Sequence, residues 1–99
     1  MKREAQVKEA ITAVFQQEKH NLEGYKVFLF GSRATNHAKP RSDFDVGIIG
    51  DRPLDSKLFS VIEDKLDNLP VLYKIDLVDF SKVSERFKKE ALKTVEDLL

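Results

Sequence analysis

The sequence contains no cysteine and little proline or glycine, with three prolines and four glycines in 99 residues. The lack of cysteine excludes disulfides, cysteine-ligated zinc and thiol catalysis. No apolar run approaches the roughly eighteen residues that a transmembrane helix requires. The charged, amphipathic start also lacks the apolar core of a signal peptide. We therefore expect a soluble, cytoplasmic protein that does not associate with a membrane.

An excess of either charge is also missing, because seventeen lysines and arginines balance seventeen aspartates and glutamates. A net charge of zero argues against a strongly basic nucleic-acid-binding protein. Apolar residues make up 41% and charged residues 34% of the chain, a balance that is typical of globular rather than disordered proteins. At this length we expect one domain over residues 1–99, with one modest core.

The spacing of apolar residues predicts six elements in the order α-β-β-α-β-α. They are a helix over Arg3–His20, strands over Tyr25–Phe30 and Phe44–Ile49, a helix between Asp55 and Pro70, a strand over Val71–Val78 and a last helix that opens at Ser81 or Ser84 and runs to Leu99. Asp55 is the expected N-cap of the second helix. Three strands with helices packed on one face would bury the apolar stripes, so we expect an α/β (α+β) fold with a small mixed sheet.

A long polar loop joins the first two strands, and its first residues are candidates for binding phosphate. Gly31 allows the backbone to turn sharply after a buried strand, close to a ligand. The Ser32 hydroxyl and neighbouring backbone N–H groups can hold phosphate oxygens, and Arg33 adds a positive charge. Gly-Ser is also a common way to end a strand and cap a turn, so these residues alone do not decide between binding and structure.

Asp43, Asp45 and Asp76 are the candidate metal ligands. Residues two apart on a strand point to the same face, so Asp43 and Asp45 repel each other when both are ionised. A shared divalent cation relieves that repulsion and hard oxygen ligands favour Mg²⁺, although a solvent-facing strand edge would also tolerate the pair. Asp76 interrupts an apolar strand, and beside the second strand it would complete a set of carboxylates for two metal ions. Asp79 lies three residues after Asp76, so its side chain would point to the opposite face of the strand. This position predicts a turn or capping role for Asp79.

The combined pattern resembles the nucleotidyltransferase superfamily related to DNA polymerase β. The signature of that superfamily is Gly-Ser, ten residues and Asp-x-Asp, which is matched by Gly31-Ser32, ten residues and Asp43-Phe44-Asp45. Its later carboxylate matches Asp76. The short chain further resembles the minimal, palm-only members. Two departures are Ala34-Thr35-Asn36 in place of Ala-Arg-Gly and a tail without glycine or an aromatic residue, and neither removes a carboxylate.

The resemblance implies a Mg²⁺-dependent transfer of AMP from ATP to a hydroxyl group, with two metal ions in the active complex. It also implies an antitoxin role toward a small all-helical partner of the HEPN type, with a tyrosine of that partner as acceptor. The implied site residues are the catalytic metal ligands Asp43, Asp45 and Asp76 and the nucleotide-binding residues Gly31, Ser32 and Arg33.

Two other functions stay open at this point. The palm could hold Mg²⁺ and nucleotide but neutralise the helical partner by masking it, without catalysis, or it could be a structural ferredoxin-like domain without a ligand. The three carboxylates argue against the structural domain. No segment is left over for recognising the base, so nucleotide choice is expected to come from backbone contacts or from a partner. The predicted last helix has a wide apolar stripe that would suit a helical partner's groove.

Overall fold

The computed structural model describes residues 2–31, residue 34 and residues 43–99. Its helices are α1 (Lys2–Gln17), α2 (Ser56–Asp67) and α3 (Glu85–Ala91), with a short 3₁₀ turn at Lys19–Asn21. Its strands are β1 (Lys26–Phe30), β2 (Phe44–Ile49), β3 (Ile75–Asp79) and β4 (Glu96–Asp97). None of the helices in these ranges has the length and apolar character needed to cross a membrane.

The four strands form one mixed sheet in the order β3-β2-β1-β4. β1 is antiparallel to both β2 and β4, whereas β2 and β3 are parallel. Parallel neighbours need a crossover connection, and α2 provides it. The predicted mixed sheet and α/β class are therefore confirmed, and the predicted bounds of β1 and β2 agree with the structure to within one residue.

α1 and α2 supply the helical side of the main core, which lies on one face of the sheet. Alternate residues of β1 and β2 point into this core, and the remaining ones face the opposite side. Asp55 caps α2 as predicted, since its carboxylate accepts a hydrogen bond from Leu58 N at 3.1 Å. The core side chains of these elements are Val7, Ile11, Val14 and Phe15 from α1, Val27 and Leu29 from β1, Phe44, Val46 and Ile48 from β2, and Ile62 and Leu66 from α2.

The opposite face of the sheet also carries a helix, which differs from the prediction of helices on one face only. Phe28, Phe30 and Phe80 form a second apolar cluster there. Phe87 of α3 packs its ring edge-on against Phe30, with the ring centroids 6.0 Å apart. α3 therefore covers part of this face, because both phenylalanines of β1 point away from the main core and need burial.

The end of the chain differs from the predicted helix over Ser84–Leu99. α3 begins after the second of the two predicted N-cap candidates, where Ser84 Oγ accepts a hydrogen bond from Phe87 N at 3.1 Å, but it ends at Ala91. Residues Glu96–Asp97 then form β4 along β1. The prediction of a continuous apolar stripe for a helical partner is therefore wrong, because its residues lie on α3 and in the segments on either side of β4.

The third strand is also shorter than predicted. Residues 71–74 precede it without strand structure, and the side chain of Leu72 is 92% exposed. The apolar run suggested a strand from Val71, but pairing with β2 begins at Ile75. The shorter strand keeps Asp76 near its start.

Candidate functional site

Two of the predicted acidic residues lie side by side on the sheet. Asp45 on β2 is in direct register with Asp76 on the parallel strand β3. Neighbouring strands are about 4.8 Å apart and paired residues point to the same face, so the two carboxylates share one surface. This is the face that carries α3, opposite α1 and α2. The structure therefore brings Asp76 beside Asp45, as the position of each within its strand suggested.

The pKa of Asp45 is raised above the ordinary aspartate value. Partial burial is the largest cause, and the negative charges of Asp76 and then Asp43 add to it. Asp43 is exposed and lies immediately before β2, from where its charge acts on the same group. The three predicted carboxylates thus interact electrostatically, and a bound cation would lower the free energy of the ionised set.

The chemistry of this donor set fits a magnesium ion, because all three side chains offer hard carboxylate oxygens. Within the described ranges, no group of three or more acidic, histidine or cysteine side chains is arranged so that it could hold a metal ion. A positive charge does lie at the site, since Lys74 Nζ is 3.6 Å from Asp76 Oδ1. Sequence reasoning missed Lys74, and its position two residues before Asp76 on the same side of the chain is the signal that could have found it.

Gly31 ends β1 beside Asp45, and two observations explain why glycine is needed there. Its φ is +73°, in the left-handed region that side chains disfavour. A Cβ atom at this position would lie 2.6 Å from Asp45 Oδ2. The sharp turn predicted at Gly31 is therefore present, and the absence of a side chain leaves room for the carboxylate.

The other predicted nucleotide-binding residues, Ser32 and Arg33, lie outside the described residues. Their contacts with phosphate stay predictions. Ala34, the next described residue, donates its backbone N–H to Gly31 O at 3.2 Å.

Asp79 is separate from the acidic site, as its parity on β3 predicted. Its Oδ2 accepts a hydrogen bond from Leu54 N at 3.0 Å, and its Oδ1 accepts from Ser81 N at 2.9 Å and from Ser81 Oγ at 2.7 Å. Burial raises the pKa of Asp79, but the hydrogen bonds from Ser81 and Leu54 outweigh burial and lower the pKa overall. Asp79 thus has the predicted structural role, in which it joins the segment before α2 to the end of β3.

Comparison with protein families agrees with this geometry. A family profile described as polymerase beta, nucleotidyltransferase matches residues 9–99. The probable protein adenylyltransferase MntA of Haemophilus influenzae is 34% identical to the chain over 65 residues. The aligned part is 66% of this chain and 57% of that protein, so the chain spans less than two thirds of the length of this relative.

Solved structures with a similar fold include toxin–antitoxin complexes. A toxin–antitoxin structure with AMP-PNP matches with a TM-score of 0.69 and 20% identity, over 93% of this chain and 72% of the other. A structure of the tri-AMPylated HEPN toxin of Shewanella oneidensis with the MNT antitoxin matches with a TM-score of 0.64 and 18% identity, over 94% and 71%. At these identities the likeness shows the fold alone.

Proposed function

This chain belongs to the polymerase β nucleotidyltransferase family, and we propose that it transfers AMP from ATP to a hydroxyl group with the help of Mg²⁺. The observation that carries the proposal is the register of Asp45 with Asp76 on one face of the sheet, next to the turn at Gly31. Asp43 adds a third carboxylate whose charge acts on Asp45. Because the reaction consumes ATP, we place it in the cytoplasm.

The acidic residues have two tasks in the proposed reaction. Two Mg²⁺ ions held by Asp43, Asp45 and Asp76 would neutralise the charge on the attacking and leaving oxygens. The acceptor oxygen forms a bond to the α-phosphorus of ATP. The bond between that phosphorus and the oxygen that bridges the α- and β-phosphates breaks, and pyrophosphate leaves with the electron pair. Asp76 helps to remove the proton of the acceptor. Positioning and charge stabilisation supply most of the rate enhancement in such a transfer.

The turn after β1 has the complementary task of holding the phosphates. The bare backbone at Gly31 allows phosphate oxygens to approach closely, and the proposal gives the hydroxyl of Ser32 and the guanidinium of Arg33 to the β- and γ-phosphates. Asp45 lies against Gly31, so the first residue of the proposed phosphate-binding turn adjoins a proposed metal ligand. This contact supports an arrangement in which the α-phosphate lies between the two sets.

We further propose that the acceptor is a tyrosine of a small helical HEPN-type protein, which makes this chain an antitoxin. One relative is named a probable protein adenylyltransferase, and one protein of similar fold was solved with an AMPylated HEPN toxin. The net charge of zero supports a protein acceptor, because binding to nucleic acid depends largely on neutralising phosphates.

Transfer of radiolabel from ATP tests this proposal. The chain is incubated with Mg²⁺ and a purified small helical HEPN-type protein, using ATP labelled at the α-phosphate or at the γ-phosphate. We expect the α-label to become bound to the partner and the γ-label to leave with pyrophosphate. Asp45→Asn is the control and should transfer neither. A stable complex without transfer of the α-label would support masking of the partner and overturn the enzymatic proposal.

A further inference from the structure

We infer that a cleft beside Asp45 binds the base and ribose of the nucleotide, so that this chain carries its own base-binding surface. The inference rests on the proposed function, because it takes the phosphates to lie at Gly31 and the acidic residues. It departs from the sequence-based expectation that no segment is left over to contact the base.

The cleft continues directly from the proposed phosphate and metal site. Gly31 and Asp45 form one part of its lining, and residues of α3 and the segment after it form another. Its volume is about 400 Å³. Small-molecule sites are typically roughly 300–1,000 Å³, so the cleft is large enough for a nucleoside. A nucleotide with its phosphates at Gly31 can therefore extend its ribose and base into this space.

An aromatic side chain lies where the base would be. Phe87 lines the cleft together with Ala91 and Thr94, and it is 44% exposed although it is apolar. Its ring is supported by Phe30 and Phe80, with centroid distances of 6.0 Å and 5.9 Å. Such a supported and partly exposed ring can contact the flat face of a base, because aromatic side chains stack on bases of every identity.

Phe87 differs from its neighbours on α3, most of which are charged. The helix reads ERFKKEA, so most of its side chains are charged and suited to water. Phe87 is the one large apolar side chain of this helix, and the part of its ring that Phe30 and Phe80 leave uncovered offers an apolar surface to a ligand. Thr94 adds a hydroxyl group that can donate to or accept from a base edge.

Comparing ATP with inorganic tripolyphosphate separates base binding from phosphate binding. With Mg²⁺ present, we expect wild-type protein to bind ATP more tightly than tripolyphosphate. Phe87→Leu keeps the apolar packing against Phe30 and Phe80 but removes the aromatic face. It should weaken ATP binding at least about fivefold and change tripolyphosphate binding less than twofold. Phe59→Leu, on the half-buried Phe59 of α2, is the matched control and should change neither.

Two outcomes distinguish this inference from the proposed function. Equal affinity of wild-type protein for ATP and tripolyphosphate, or a Phe87→Leu variant with unchanged ATP affinity, would overturn the base cleft and leave the transfer reaction standing. Wild-type protein that binds neither compound would overturn both.

A second measurement needs no variant. ATP with a photoreactive azide on its base is crosslinked to wild-type protein in the presence of Mg²⁺, and the labelled residue is identified by mass spectrometry. We expect the label within residues 87–94, and unlabelled ATP should compete for it. Labelling confined to another part of the chain would overturn the inference.

Discussion

To act as the proposed metal ligand, Asp45 must be ionised, although it is partly buried among other negative charges. Because its pKa is raised in the folded state, its contribution to stability is fully present below the ordinary aspartate pKa and is lost as pH rises through the raised value. At neutral pH the ionised group therefore opposes folding in the absence of a cation. A loss of folding stability of this kind is expected at a residue whose charge serves function and not stability.

We expect Asp45→Asn to lower AMP transfer at least about a hundredfold while leaving the fold intact. In metal-free buffer at neutral pH its melting temperature should equal or exceed that of wild-type protein, because the substitution removes an unfavourable buried charge. Thermal unfolding in EDTA, combined with the transfer assay, measures both effects. A fall of several degrees would show that the carboxylate supports the fold instead.

Gly31 and Gly24 form a matched pair for testing the turn at the site. Both have positive φ, 73° and 85°, so alanine should cost roughly 1–2 kcal/mol of stability at either position. A Cβ at Gly31 would meet Asp45 Oδ2 at 2.6 Å, whereas a Cβ at Gly24 meets no described atom within 4 Å. We expect Gly31→Ala to lose transfer activity and Gly24→Ala to keep it, both measured under conditions where they are folded. Full activity in Gly31→Ala would contradict the close approach at the site.

Between elements, Asp79 makes a connection that we expect to be sensitive to substitution. Its carboxylate accepts hydrogen bonds from Leu54 on one oxygen and from Ser81 on the other. The side-chain NH₂ group of an asparagine would face either the N–H of Leu54 or the donors of Ser81, and two donors cannot form a hydrogen bond with each other. Asp79→Asn should therefore destabilise the protein by about 1–3 kcal/mol. Asp51→Asn, at an exposed position, is the control and should have little effect.

The pH dependence of this effect has a definite sign. The pKa of Asp79 is lowered in the folded state, so its stabilising contribution is present above the ordinary aspartate pKa and is lost as pH falls toward the folded value. The difference in melting temperature between wild-type protein and Asp79→Asn should thus be largest near neutral pH and shrink below about pH 4. A difference that stays constant with pH would contradict the role of the charged form.

Sequence patterns predicted the elements whose information is local. The bounds of β2 and the cap at Asp55 follow from residues that adjoin one another in the chain. β4 was missed because its two residues are polar and because its pairing is long-range. Lys8 Nζ contacts Glu96 Oε1 at 2.9 Å, and Leu98 N donates to Val27 O at 2.9 Å. The spacing of apolar residues in the last part of the chain cannot predict such long-range contacts.

Part of the candidate site could likewise be predicted from local sequence patterns, and part of it depends on long-range packing. Alternation along β2 and the acidic residue within β3 predicted that Asp45 and Asp76 would meet if the two strands were neighbours, and the structure shows that they are. The neighbouring cleft could not be predicted, because it depends on α3 ending at Ala91 and packing Phe87 against the second apolar cluster. Local pattern therefore identified the acidic residues, and only the tertiary arrangement revealed the cleft that we infer binds the base.

The molecule as a whole uses the two faces of its sheet differently. α1 and α2 fill one face with the main core, whereas Asp45 and Asp76 lie on the other, next to the cleft. A protein acceptor is therefore expected to approach the face that carries α3. Masking of a partner requires only binding, but AMP transfer requires that a hydroxyl of the partner reach the acidic residues.

Intact-mass spectrometry of a HEPN-type helical protein, the proposed partner, tests the proposed AMP transfer most directly. The partner is incubated with this chain, ATP and Mg²⁺, and in parallel with the Asp45→Asn variant. We predict that wild-type protein adds one or more AMP groups to the partner, that peptide mapping places them on tyrosine, and that the variant adds none. A partner that stays unmodified while it binds the wild-type chain would contradict the proposed transfer.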